Sequence, residues 1–216
     1  MRYFVLDKFN TWYDWRLTLT SKDVTAPEVK TNYVSIDGMH GTLDLTEALT
    51  GDVLYNDRTV TASFWSDEGT FLERAALLKT ITSSLHGKKV QIIEPDDPEH
   101  YFLGRIKIKN VVQDQVHIEF TIEATCEPWR YAVEETKRRV VVNNATVDAV
   151  INNNGVKALT PALIVTGTVH VTFNGNTTKL TEGTWKISDL RLAQGVNVIK
   201  LYGWGTVTFV YREADL

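Results

Sequence analysis

The sequence predicts a mainly β protein of two domains with a single packed α-helix, and three observations predict it. Apolar residues alternate with polar ones at period two along most of the chain, as in half-buried strands. One stretch changes to helical spacing and carries its own start and stop signals. Beyond about residue 130 the runs shorten and glycine separates them at regular intervals, the pattern of a β-sandwich or jelly roll. At 216 residues there is room for one large domain or two ordinary ones.

Taken in order, Trp12, Tyr13 and Trp15 crowd the start, an aromatic segment that needs burial in the fold or in a partner. Trp15, Leu17 and Leu19 then alternate as a strand. Residues 21–58 are long for one connection; Gly38, Gly41 and Gly51 favour turns, while Val34, Ile36, Leu43 and Leu45 offer alternating apolar anchors. Val60, Ala62 and Phe64 alternate against Thr59, Thr61 and Ser63 in a half-buried strand. The helix follows: Thr70 and Glu73 form a capping box, and Phe71, Leu72, Ala75, Leu78, Ile81 and Leu85 supply an apolar stripe. Gly87 suits a left-handed helix end, and Lys88 and Lys89 suit the negative pole. Only strands surround this stripe, so it packs on a sheet.

After the helix come strands in KVQIIE, YFLGRIKIKN and VHIEFTIEAT, the last two as an antiparallel pair that sets Lys107 and Lys109 across from Glu119 and Glu123. Pro128 limits the last of these strands, which places the domain boundary near 128–138 and divides the chain into 1–132 and 133–216. In the second part Asn174-Gly175 signals a type I′ hairpin, and Gly183, Gly195, Gly203 and Gly205 separate strands of five to nine residues.

Composition removes several functions. The chain is 43% hydrophobic and 23% charged with a net charge of −4, so it lacks the positive footprint of a nonspecific nucleic-acid binder. Charge is uneven: residues 1–130 hold 14 basic and 20 acidic side chains, and residues 131–216 hold 9 and 7. The one cysteine, Cys126, allows no internal disulfide and reads as a small inert thiol. No apolar run reaches the 18 or so residues of a membrane span, and the start has no signal-peptide pattern, so a soluble cytoplasmic product is expected.

No phosphate loop, dinucleotide fingerprint, Gly-x-Ser-x-Gly or His-Glu-x-x-His occurs, and the five histidines have no metal spacing. No catalytic residue, cofactor or metal is therefore assigned, and the protein is read as a non-enzyme. The densest polar cluster, Glu94, Asp96, Asp97, Glu99 and His100, reads as a solvated turn between strands. Pairs such as Asp44 and Glu47, or Asp14 with either, read as turn or surface acids. Trp185 and Trp204 are candidate glycan or partner contacts, because an exposed indole beside polar groups can stack on a sugar ring.

The stretches SIDGMHGTLDLTEALTG, LYNDRTVTASF and LHGKKVQIIEPDDPEHYFLGRI resemble the first half of distal tail proteins of long-tailed bacteriophages or prophages of Gram-positive hosts. TGTVHVTFNG and LAQGVNVIKLYGWGTVTFVYREADL resemble that family's last strands, and together the stretches cover most of the chain in order. The resemblance implies a hexameric tail hub between the tail tube protein and the tail tip, lysin or baseplate protein, located in the virion. It implies a ring-forming first domain, a galectin-like β-sandwich as peripheral second domain, and DNA passing through a central channel without specific binding. It implies no membrane partner, and inter-subunit contacts in the region of Val34, Ile36, Leu43 and Leu45. The second domain carries no inserted arm, so a grip on a receptor-binding protein is less firmly implied. The alternative is a carbohydrate-binding tail or host-surface adhesion module.

Overall fold

A computed structural model describes residues 2–48 and 50–216, so Met1 and Leu49, the latter within the resembling stretch 35–51, lie outside it. The chain forms two compact units, one ending at Trp129 and one covering Arg130–Asp215.

The first unit contains β1 (Val5–Leu6), β2 (Phe9–Asn10), β3 (Thr18–Val24), β4 (Tyr33–Ser35), β5 (Thr42–Asp44), β6 (Arg58–Ser66), α1 (Phe71–Leu85), β7 (Lys89–Glu94), β8 (Asp97–Gln113) and most of β9 (Ile118–Ala132). Seven strands of this unit follow one another in a sheet in the order β2-β1-β7-β8-β9-β6-β3, in which β9 also pairs with an eighth short strand near the chain's end, while among the described residues β4 and β5 pair with each other. In β6 the alternation is strict: Val60, Ala62 and Phe64 face inward opposite Ala124, Ile122 and Phe120 of β9. The sheet curls, because Lys22 on its last strand bonds Glu94 of β7 and reaches Asp96 at 2.6 Å. Ile81 and Leu85 of α1 enter the same core as Phe4, Leu6, Phe64, Ile92 and Phe120, so the helix closes the curl.

The capping box forms: the Thr70 N–H donates to Glu73 Oε2 at 2.7 Å, and the Glu73 N–H donates to the Thr70 hydroxyl. The expected apolar stripe holds only in part. Leu72 is 76% exposed and Phe71 is also exposed, whereas Arg74 is buried at 3%. Its guanidinium donates to the carbonyl oxygens of Gly69 and Gln115. His86 is the helix cap, but its Nδ1 accepts the Ile108 N–H at 3.1 Å, so the ring serves β8 as an acceptor. At the N-terminus, Trp15 is buried and stacks on Phe9, while Tyr13 stays exposed beside Tyr3. Of that aromatic segment the fold buries Trp15 and half-buries Trp12, and it leaves Tyr13 at the surface.

The second unit contains β10 (Thr136–Asn143), β11 (Val147–Asn153), β12 (Ala162–Phe173), β13 (Asn176–Leu180), β14 (Gly183–Lys186), β15 (Gly195–Tyr211) and β16 (Ala214–Asp215), which pairs with Arg130 and Tyr131. β12 and β15 lie side by side from Ala162↔Val210 to Thr172↔Lys200. The first half of β12 pairs with β14 and its second half with β13; the second half of β15 pairs with β10 and its first half with β11. One sheet thus consists of two four-stranded halves, and both contribute to a single core: Leu163, Val165, Val207 and Phe209 from one, Val169, Val171, Ile199 and Leu201 from the other. The sheet is folded over on itself into a sandwich.

The fold line is written in glycine. Inward-facing positions run 163, 165, 169, 171 on β12 and 199, 201, 207, 209 on β15, so 167, 203 and 205 are the inward positions between them. All three are glycine, at φ of +80°, +131° and +142°. The glycine spacing predicts breaks between strands at Gly203 and Gly205; instead they bend one long strand without interrupting it. At the opposite end of β12, Asn174 (φ 49°) and Gly175 (φ 82°) form the expected tight hairpin.

Candidate functional site

The polar clusters named from the sequence resolve into structural contacts. Glu94 and Asp96 hold Lys22, and Asp97 faces His100 Nδ1 at 2.8 Å. The turn is Pro95-Asp96, and Asp97 already begins β8. Asp14 Oδ2 accepts the Asn10 N–H, and Asp44 Oδ1 accepts the Thr46 N–H and hydroxyl, which holds the Asp44 carboxyl below the usual range. No group of three or more histidine, cysteine or acidic side chains could hold a metal among the described residues.

Cys126 is buried, and desolvation pushes its thiol up to about 12. A Cβ at Gly104 would stand 2.3 Å from its sulfur, so the site is packed shut. Cys126 is expected to resist a thiol reagent at pH 8 in the folded protein and to react at full rate in denaturant. Rapid native labelling, followed by absorbance of the released chromophore, contradicts this.

The arm carrying β4 and β5 is different. Its register pairs Val34 with Leu43, and period-two alternation sets Ile36 and Leu45 on the same face as that pair. The four residues named from the sequence therefore share one side of a two-stranded hairpin. Val34, Ile36 and Leu43 are 38%, 45% and 40% exposed, and Leu45 is half-buried. Tyr33, Met39 and Leu54 add further exposed apolar surface. The base of the arm is tied by the Val29↔Tyr55 bridge and by Asn32 bonding Leu45 and Thr46. A two-stranded hairpin is marginal alone, and the described residues of the unit leave its apolar face exposed at Val34, Ile36 and Leu43.

The two candidate tryptophans do not come together. Trp185 pairs with inward-facing Leu163, and its indole N–H donates to the Thr181 carbonyl at 2.8 Å. Trp204, opposite Thr168 and Asn143, lies on the outward face of the same sheet and is 67% exposed, two residues from exposed Tyr202. Trp185 closes a turn, and Trp204 alone offers a free ring face.

No family model matches the chain, and no curated protein matches it. Among solved structures it is similar to the SPP1 Dit protein, a paradigm of the hub adsorption apparatus in phages infecting Gram-positive bacteria. The match covers 98% of this chain and 99% of that one, with a TM-score of 0.71 at 14% sequence identity. The fold is the Dit fold. Coverage of both chains from end to end means that the helix-bearing curled sheet and the folded-over sandwich belong together in the Dit fold. It agrees with the mainly β architecture expected from the sequence. In this Dit fold, sequence reasoning found the arm but missed Arg74, whose burial no local pattern announces.

Proposed function

We propose that the chain is a structural hub protein of a phage tail, forming a homo-hexameric ring through its first unit between the tail tube and the tip or baseplate. The second unit would act as a peripheral module, and the ring would leave a channel for DNA. The observation that carries this reading is the arm: an isolated hairpin with Val34, Ile36, Leu43 and Leu45 on one uncovered face, in a fold shared with a hub protein. A ring requires heterologous contacts, in which one surface of each copy meets a different surface of the next. An apolar arm that its own unit leaves uncovered supplies one of those surfaces.

The direct test is native mass measurement with electron imaging, alone and with the tail tube protein. Six-fold rings of six times 24.4 kDa are expected. Val34→Asp with Leu43→Asp is expected to leave a folded monomer, since each carboxylate would be buried in the contact. Rings that survive this double substitution, or a chain that stays monomeric under both conditions, count against the proposal.

A further inference from the structure

Building on the ring reading, we infer that the arm of one copy seats in a basic groove on the first unit of the next copy. The groove is an open cavity of about 620 Å³ on the outer side of β7, β8 and β9, beside the C-terminal end of α1. Leu103 lies in its floor, and Lys89, Arg105 and Lys107 line it together with His86, Asp57 and Glu127. Glu127 is already bonded to Lys89, and Arg105 donates to the Gly87 carbonyl. Lys107 in the lining, and Lys88, the chain neighbour of the lining residues Gly87 and Lys89, are exposed and form no ion pair among the described residues. Lys88, Lys89, Arg105 and Lys107 set four cations against two acids, Asp57 and Glu127, so the groove keeps a net positive charge over an apolar floor extended by lysine and arginine stems.

The arm is the complement. Residues 28–52 contain Glu28, Asp37, Asp44, Glu47 and Asp52 against one cation, Lys30. All five acids are exposed, and they flank the apolar face of Val34, Ile36 and Leu43. An apolar centre with a charged border is what a specific contact needs, with the charges fixing register and excluding wrong partners.

A second exposed apolar patch exists on the same unit, formed by Phe71, Leu72, Val112 and Val116 where the start of α1 meets the β8–β9 turn. Its neighbours are Asp67, Glu68, Glu73 and Asp114, so an acidic arm placed there would meet like charge. Charge thus selects the groove and leaves this patch for some other contact.

The experiment is a charge exchange on the full chain, read by native mass and by the salt dependence of assembly. Asp37→Lys with Glu47→Lys reverses the arm; Lys88→Glu with Lys107→Glu reverses the groove. None of these four side chains makes a hydrogen bond or ion pair within the described residues, and circular dichroism checks that each variant is folded. Each reversed form alone should lose ring population by about tenfold or more. An equimolar mixture should restore rings with the two forms alternating, because every arm then faces a groove of opposite charge. Single reversals that assemble like wild type, or a mixture that stays dissociated, overturn the arm-in-groove contact while leaving the ring intact as a reading. Loss of rings in Leu72→Asp with Val116→Asp, with the reversals silent, assigns the arm to the other patch. Absence of wild-type rings overturns both.

Discussion

Gly205→Ala is expected to abolish the fold of the second unit while leaving the first unit intact. A Cβ at residue 205 would lie 1.8 Å from the Thr166 carbonyl oxygen and 2.8 Å from its carbon, both backbone atoms that cannot swing aside. The φ of +142° is closed to L-residues as well, so rotation of the backbone offers no escape. Gly205 pairs directly with Gly167, whose own Cβ would meet the Trp204 carbonyl at 2.2 Å. Two strands approach this closely because the sheet must turn back for Leu163 and Phe209 to share a core with Val171 and Ile199. Straightening the crease separates those layers, so the cost is that of the shared core, about 4 kcal/mol or more. Gly175→Ala is the control: its φ of +82° is also left-handed, but nothing lies within 4 Å of the added carbon. It should cost only about 1–2 kcal/mol. Hydrogen exchange resolves the two units: protection should vanish along β12 and β15 in Gly205→Ala and persist along β6 and β9 up to Trp129. Native protection throughout would mean that the crease can relax.

The same glycines show where a sequence stops being readable. Thr70 with Glu73, and Asn174 with Gly175, were legible because each device closes within four residues, so composition and spacing suffice. Gly203 and Gly205 look like the same punctuation, yet the feature that requires them, Thr166 and Thr168 on β12, lies more than thirty residues earlier. Period two continues unbroken through them, which is the signal that distinguishes a bend from a break. Lys22 with Glu94 is a comparable case: 72 positions separate the partners, and only the curl of the sheet brings them together. The apolar face of the arm was legible from alternation in Val34, Ile36, Leu43 and Leu45. Its lack of cover was not, because alternation identifies a face and says nothing about what lies opposite it. The groove could not be read from local pattern, since Lys89, Arg105, Lys107 and Glu127 come from three neighbouring strands and the Lys89–Glu127 pair alone spans 38 positions of chain.

Arg74→Met is expected to destabilise the first unit by about 2–3 kcal/mol, and the sign of this effect is the informative part. Methionine matches the arginine stem in length and suits a helix, so a side chain that merely fills space would be replaced at little cost. Arg74 also sits in the first turns of α1, where the helix dipole disfavours a cation, so removing its charge should by that account stabilise. Opposing both is the work of the guanidinium: it donates to Gly69 before the helix and to Gln115 in the β8–β9 turn at 2.7 Å, joining segments 41 residues apart. Methionine leaves those carbonyls without their donor and unties the turn from the helix. Arg74→Lys should recover only part of the loss, because a single ammonium cannot match the forked geometry that reaches both carbonyls. Urea unfolding of the three forms, followed by a signal from Trp15 and Trp65 in the first unit, separates the accounts. A methionine form as stable as wild type reduces Arg74 to packing. A methionine form less stable than the lysine form places the strength of this corner in the donor set that no periodicity in the sequence reveals.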